Sequence, residues 1–335
     1  MDIWNLNERN KHDILSNPIY LQNQNQGRIV ALGYFDGVHK GHKEILKFAA
    51  ENAQKKGMIS TVHSFTTPPV SKKNENNAIP YHLTEEKEKL ELFEKYGTGE
   101  VFLTPFEKAV KQLSPEAFLE IYIAGLFKAK GIVTGEDYRF GKNREGDVSF
   151  LKKWGAENGV DVIIVPALKR DNKVISSTWI RLLIRDGHIE IANELLGYPL
   201  SFSGIVEKGY QIGRTIQFPT ANMKISPEKM IPNRGVYVSI FEVDGKQYPS
   251  ISNIGIRPTM QRNEKTIYLE TMLFDQNLNL YGKEARVFLI HFIRAEMNFE
   301  TVDSLSMQMK KDALLARAYH AKHRSAYSIF FPTML

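Results

Sequence analysis

The chain contains no cysteine, which excludes a disulfide framework and any zinc site built on thiolates. It has no uncharged apolar run long enough to span a membrane. Met1 to Tyr20 is polar and charged and lacks the apolar core of a signal peptide. There is no long basic run, although the formal net charge is +6; residues 1–186 and 187–335 each carry +3, with basic and acidic residues interspersed. That distribution argues against a nucleic-acid-binding surface and suits a mildly basic enzyme acting on anionic nucleotides. No internal repeat and no low-complexity segment occurs. The expectation is a soluble cytoplasmic protein with small-molecule substrates, no nucleic acid, no membrane and no obligate protein partner.

What is present is enough for two globular domains: 335 residues, 42% of them apolar. Met1 to Gln26 reads as a lead-in holding one strand or short helix. Strands are expected at Arg28–Leu32, Met58–Phe65, Glu100–Leu103, Lys130–Gly135 and Val160–Val165. Helices are expected between them at Lys43–Lys56, Thr84–Tyr96 with Thr84 as cap, Ser114–Leu126 with Ser114 as cap, and Ser149–Asn158. Strands alternating with helices imply a parallel, doubly wound α/β sheet. Ser176-Ser177-Thr178 then caps a helix carrying Ile180, Leu182, Leu183 and Ile184. The pattern changes near Gly187. From Phe202 strand-like runs follow one another (Phe202–Val206, Gly235–Val243, Tyr248–Ile254, Thr266–Leu273, Ala285–Ile293) without helical period between them, which describes an antiparallel β-barrel or sandwich. Val302–Tyr319 closes the chain as a helix with Val302, Leu305, Met309, Leu314 and Ala318 as its core stripe. The domains are placed at 1–186 and 201–335, joined by 187–200.

The first half is organised around Gly33-Tyr34-Phe35-Asp36-Gly37-Val38-His39-Lys40-Gly41-His42. It lies between a buried strand and a helix, the place where α/β proteins hold phosphate: turn glycines let backbone approach, and the helix start offers free N–H groups. His39 and His42, three residues apart, can point to one side. Zinc is disfavoured, because no Glu or His follows along the helix at ligand spacing.

This stretch resembles the Gly-x-Phe-Asp-Gly-x-His-x-Gly-His signature of the bacterial bifunctional riboflavin kinase/FAD synthetases, which belong to the histidine-motif nucleotidylyltransferases. Two later segments resemble the same family in the same order: Gly135-Glu136-Asp137-Tyr138-Arg139-Phe140-Gly141, and Ile175-Ser176-Ser177-Thr178-Trp179-Ile180-Arg181. The resemblance implies an FMN adenylyltransferase with His39, His42 and Arg181 as catalytic groups. It implies nucleotide binding by Gly33, Phe35, Asp36, Gly135, Asp137, Arg139, Ser176, Ser177 and Thr178. One departure stands out: the family's second strand usually ends Phe-x-Pro-His-Pro, and here Phe65-Thr66-Thr67-Pro68-Pro69 puts proline in place of the histidine. Proline neither donates nor titrates, so the departure falls on the acceptor side of the site.

In the second half, residues 209–222, Gly209-Tyr210-Gln211-Ile212-Gly213-Arg214 through Phe218-Pro219-Thr220-Ala221-Asn222, resemble the flavokinase motif, with Gln217 where glycine is usual. The match implies that Gly209, Gly213 and Arg214 wrap ATP phosphates and that Thr220 and Asn222 offer oxygen ligands to Mg²⁺. Tyr268 to Asp275 matches the strand with the family's catalytic carboxylate, which makes Glu270 the base and Met272 the replacement for a frequent histidine. The implied activity is phosphorylation of riboflavin to FMN and adenylylation of FMN to FAD, with ATP as substrate and Mg²⁺ as cofactor. Two alternatives stay open: a paralogue keeping one activity, and a flavin- or nucleotide-binding regulatory protein on the same scaffold.

Overall fold

The computed structural model describes residues 1–6, 11–66, 82–207, 220–258, 265–276, 278–327 and 330–331. The chain divides into two compact units, Met1–Ser177 and Thr178–Leu335.

The first unit opens with β1 (Asp2–Asn5), α1 (Lys11–Ser16) and α2 (Pro18–Gln26), a richer lead-in than the single expected element. Asn17 caps α2, its side chain accepting from the Ile19 N–H at 2.9 Å. There follow β2 (Arg28–Leu32), α3 (Lys40–Lys56), β3 (Ile59–Phe65), α4 (Glu86–Lys95), β4 (Glu100–Thr104), α5 (Lys108–Lys111), α6 (Pro115–Phe118), β5 (Ala129–Gly135), α7 (Val148–Asn158), β6 (Asp161–Val165), and the small hairpin β7 (Lys169–Arg170) and β8 (Lys173–Val174). The main sheet is parallel throughout, ordered β1-β4-β3-β2-β5-β6. Alternate residues of its central strand face opposite ways. Ile29 and Ala31 pack with Ile45, Leu46 and Ala49 of α3; Val30 and Leu32 pack with Phe118, Leu119 and Leu151 on the other side. Both faces are therefore covered, and the central strands β2 to β5 are almost wholly buried, as parallel sheets require.

Two local expectations change. Ser114 does cap α6, accepting from the Ala117 N–H at 3.1 Å, but the α-turns stop at Phe118 and Leu119–Leu126 winds as a π-helix. Gly125 fits that wider turn, because a Cβ there would lie 2.8 Å from the Glu120 carbonyl oxygen. At α4 the cap is Glu85, in a reciprocal box with Glu88. Thr84 is instead buried, its hydroxyl accepting from the Gly37 N–H at 3.1 Å. At the base of the sheet a buried ion pair, Arg28–Glu100, is fully dressed: Trp4 and Thr61 donate to Glu100, and Arg28 also donates to the Phe127 carbonyl.

The second unit holds α8 (Ser177–Arg185, starting on the last residue of the first unit), α9 (Ile189–Leu196), β9 (Ser201–Ile205), β10 (Ala221–Lys224), β11 (Gly235–Val243), β12 (Lys246–Pro258), β13 (Lys265–Leu273), β14 (Glu284–Ala295) and α10 (Val302–Tyr327). The sheet is antiparallel in the order β10-β13-β12-β11-β14-β9. Its edges nearly meet, since Glu207 beyond β9 bridges to Asn222 of β10. The result is a near-closed barrel. Inside, Ser239, Ser250, Ser252 and Thr271 satisfy one another at 2.7–2.8 Å. Outside, Val236, Val238, Ile240 and Ile251 pack under Ala313 and Ala316 of α10.

That packing corrects the expected stripe of the last helix. Val302 and Leu314 are more than 60% exposed and Ala318 is also exposed, while Asp312, Ala313, Ala316 and His320 face inward. Alanines let the helix approach the sheet closely. The inward polar groups have partners: Asp312 meets Arg294, and His320 Nε2 donates to the Ser250 carbonyl at 3.0 Å.

Candidate active sites

In the first unit the chain moves from β2 outward through β3 and β4, then returns to add β5 on the other side of β2. The switch point of the sheet thus lies between the carboxyl ends of β2 and β5, where crossovers diverge and leave a crevice. A cleft of about 300 Å³ occupies that place. Gly33 and Tyr34 beyond β2 and Thr134 and Gly135 of β5 line it, and the Thr134 hydroxyl donates to the Leu32 carbonyl at 3.1 Å, tying the two strand ends.

The turn after β2 is conformationally unusual. Phe35, Gly37 and Val38 all have positive φ (54°, 78° and 32°). For a β-branched valine this costs on the order of 1–3 kcal/mol, which the surroundings must offset. The contacts doing so are explicit. Asp36 is buried, and its carboxylate accepts from the Leu83 N–H at 3.0 Å and the Thr84 N–H at 3.3 Å. Its carbonyl accepts from the Ser177 hydroxyl at 2.9 Å. Phe35 is likewise buried, edge-on to His42 at 5.3 Å and to Phe93 at 5.7 Å. Asp36, Phe35 and Ser177 therefore shape the turn through contacts within the fold.

His39 is the N-cap of α3, and its Nδ1 accepts from the His42 backbone N–H at 3.3 Å. A neutral imidazole that accepts at Nδ1 carries its proton on Nε2. The two rings stack at 3.7 Å, tilted by 17°. Gly41 allows this: a Cβ there would press on the His39 ring at 3.2–3.3 Å. Burial pushes His39 down to about 4, helped by Lys43, and holds His42 well below the ordinary histidine range, helped by His39 and Lys89. Both are neutral at physiological pH. His42 lines the cleft, and its buried Nδ1 has no hydrogen-bond partner among the described residues.

Asp137 and Arg139 line the cleft too, and Arg139 Nη1 pairs with Asp147 at 2.9 Å. Phe65 and Phe140, from segments quoted above, form an aromatic wall with Phe106 and Phe118, which sequence reasoning missed along with the cations Lys111 and Arg144. Lys111 sits 5.1 Å over the Phe106 ring, and Arg144 follows Asn143 in consecutive left-handed conformations (φ 62° and 54°). Arg144 lies in the basic segment Lys142–Asp147, while Lys111 lies in no motif of the sequence. Ser176 precedes α8, while Thr178 and Arg181 lie in α8, Arg181 half-buried. Pro68, Gly209, Gly213, Arg214 and Gln217 lie outside the described residues.

The second unit has its own cavity, about 310 Å³, against the outer face of the barrel. Cross-strand register builds it. Asn222 of β10 stands opposite Glu270 of β13, which stands opposite Asn253 of β12, then Val236 of β11 and Arg294 of β14. Directly opposed residues of antiparallel strands share a face, so Glu270 is flanked by two asparagines. The Asn222 side-chain NH₂ donates to the Thr220 carbonyl at 3.2 Å. Arg294 holds buried Asp312 of α10 with Nε and Nη2 at 2.9 and 2.7 Å, and Gln308 adds a third bond at 2.8 Å. Met272, Met297, Phe299 and Met309 supply apolar walls. Asn253, which lies in a further segment matching the family, is brought beside Glu270 by strand register, and Asp312, which no motif marks, is brought to Arg294 by the packing of α10.

A histidine pair on a helix start at the switch point of a parallel sheet, in one chain with a barrel that carries a carboxylate between amides, defines a nucleotide-dependent transferase in two parts. The FAD synthetase family matches residues 21–179 and the riboflavin kinase family residues 196–320. A bifunctional riboflavin kinase/FMN adenylyltransferase from Listeria monocytogenes is 36% identical over 88% of this chain and 93% of its own length. One from Bacillus subtilis is 32% identical over 92% and 98%. A crystal structure described as a macrolide-efflux protein from Streptococcus pneumoniae superposes with a TM-score of 0.80 at 32% identity, covering 95% of this chain and 99% of that one. Among the described residues no helix is long and apolar enough to cross a membrane. The chain belongs to the bifunctional riboflavin kinase/FMN adenylyltransferase family.

Proposed function

We propose that the chain converts riboflavin to FAD in two ATP-dependent steps. Residues 201–335 carry the kinase, residues 1–186 the adenylyltransferase, and 187–200 join them. The observation behind this reading is that a cavity in each unit is walled by residues of one signature, His42 in the first and Glu270 in the second.

In the barrel, Glu270 takes the proton of the riboflavin 5′-hydroxyl as that oxygen bonds to the γ-phosphorus. The bond from the γ-phosphorus to the bridging oxygen breaks, releasing ADP. The apolar walls and the Arg294–Asp312 pair hold the ring system. Thr220 and Asn222 would hold Mg²⁺: hydroxyl and amide oxygens opposite a carboxylate suit a hard cation. Among the described residues no cluster of three or more His or acidic side chains could bind a metal alone, which fits an ion shared with phosphates. Bound there, Mg²⁺ neutralises phosphate charge.

In the sheet unit, an FMN phosphate oxygen attacks the α-phosphorus and pyrophosphate departs. The nucleophile is already anionic, so no base is needed, and catalysis is positioning plus charge stabilisation. His39 presents Nε2–H, His42 is oriented by Phe35, and the start of α3 supplies N–H groups. Arg181 and the hydroxyls of Ser176, Ser177 and Thr178 serve the nucleotide. The aromatic wall takes the flavin, and Lys111 and Arg144 stand in for the family histidine that Pro68 replaces. Chromatography of products from riboflavin, ATP and Mg²⁺ tests the reading: FMN then FAD is expected, and neither appearing would refute it.

A further inference from the structure

Lys89 is 5% exposed, and its charge has no described carboxylate within ion-pair distance. It projects from α4 beneath the cleft. Its Nζ donates to the Ser64 hydroxyl at 3.3 Å and the Phe65 carbonyl at 3.2 Å, and sits 4.9 Å over the Tyr34 ring. Ser64 in turn donates to the Tyr34 carbonyl at 2.9 Å. Tyr34 continues β2 and Phe65 ends β3, and both line the cleft. Tyr34 is held from its far end by His82, hydroxyl to Nδ1 at 2.9 Å.

A buried lysine satisfied by one hydroxyl, one carbonyl and a ring is costly; an apolar residue would fill the space without desolvating an ammonium. Burial pushes it down to about 8, with Asp36 and Glu86 pulling the other way, so it stays mostly charged at neutral pH. The charged groups acting on it are those two carboxylates. On His42 the titratable neighbours are His39, itself neutral, and the charged Lys89, and the ring packs on Phe35.

Resting on the adenylyltransferase reading of this cleft, we propose that Lys89 is a positioning residue for adenylyl transfer. Its ammonium fastens the carboxyl ends of β2 and β3 and places a positive charge within electrostatic reach of His42. The strand tie sets the cleft wall, and the charge adds to the burial that keeps His42 a neutral imidazole while an anionic triphosphate, which would otherwise draw a proton onto it, lies alongside.

The test compares the full-length wild type with Lys89→Met and Lys89→Arg. The His42 ring is titrated by NMR without substrate, and adenylylation of supplied FMN is measured on the same samples, with riboflavin phosphorylation as control. In K89M the His42 midpoint should rise, because a positive charge near the ring is removed. FAD formation should fall roughly tenfold to a hundredfold, the usual loss for displaced catalytic groups, with FMN formation unchanged. K89R should restore both. An unchanged His42 midpoint overturns the proposal even if the rate falls, because Lys89 is then a strand tie only. If K89M does not fold, K89R decides: charge kept and bonding altered, it must leave the midpoint at its wild-type value, and a rise overturns the idea. The titration needs no substrate, so a wild type unable to make FAD would refute the adenylyltransferase reading while the titration still decides the charge placement.

Discussion

At the scale of single residues, the two candidate sites make separable demands. His42 is preorganised by Phe35, by its stacked partner and by the capped helix start, so His42→Ala should cut FAD formation from FMN by roughly 10²–10³, the value of one lost preorganised donor. FMN formation should be nearly unaffected, and assaying each step with its own substrate checks both halves of the statement. Glu270→Gln keeps shape but removes the base; riboflavin phosphorylation should collapse while supplied FMN is still adenylylated. Lys111→Ala and Arg144→Ala should each raise the KM for FMN by about tenfold to a hundredfold, the range for one charge-assisted hydrogen bond, without weakening ATP binding. At this scale the sequence was informative where a residue type sits in a long ordered motif, as His39, His42 and Glu270 do. It was silent where function depends on burial or register. Lys111, Arg144 and Asp312 stand in no ordered motif. Asp36 stands in the motif as a nucleotide-binding residue, and the bonds its carboxylate accepts from the Leu83 and Thr84 N–H groups are not legible in the sequence.

At the scale of elements, the parallel sheet carries a pH dependence. His39 and His63 are buried and neutral, burial pushing them down to about 4 and about 3 from the ordinary 6.5. The unfolded chain therefore binds protons below 6.5 that the folded chain refuses. Stability is complete above 6.5 and is lost as pH falls toward the folded values, by ~1.4 kcal/mol per pH unit for each histidine. Urea midpoints of the first unit at pH 7, 6 and 5 should fall in that order; equal midpoints would contradict the buried neutral state. The Arg28–Glu100 pair gives a second element-scale expectation. Both side chains are fully buried, so Glu100→Gln should destabilise the first unit by about 3–5 kcal/mol by stranding a charge, read as a lower unfolding midpoint with the barrel unaffected. Most strands and helices were legible because apolar runs of strand length alternate with helical periods. Those that were not have identifiable causes. β10 is four residues long, below the reach of any periodicity. The π-turns after Phe118 share apolar spacing with an α-helix. The face of α10 is chosen by alanines and the Arg294–Asp312 clasp, where a hydropathy count favours Leu314 and Val302.

At the scale of the whole molecule, the chain joins two units with independent cores. The compact break at Ser177 assigns α8 and α9 to the second unit. Helix α9 buries Ile189, Ala192, Leu195 and Leu196, and the Asn193 side chain donates to the Leu289 carbonyl at 2.8 Å. Each large aliphatic side chain so buried is worth ~1.5–3 kcal/mol. A fragment of residues 178–335 should therefore keep riboflavin kinase activity and unfold at a higher temperature than one of residues 201–335; equal stability would show α9 to be dispensable. The claim on which the rest depends is that one chain runs both reactions at two sites. Its most direct measurement is a time course of products, resolved by chromatography, from riboflavin and MgATP with wild type, His42→Ala and Glu270→Gln. Wild type should give FMN followed by FAD, H42A should stop at FMN, and E270Q should form neither from riboflavin yet make FAD from added FMN. FAD accumulating at the wild-type rate in H42A, or FMN in E270Q, would contradict the assignment of the two sites.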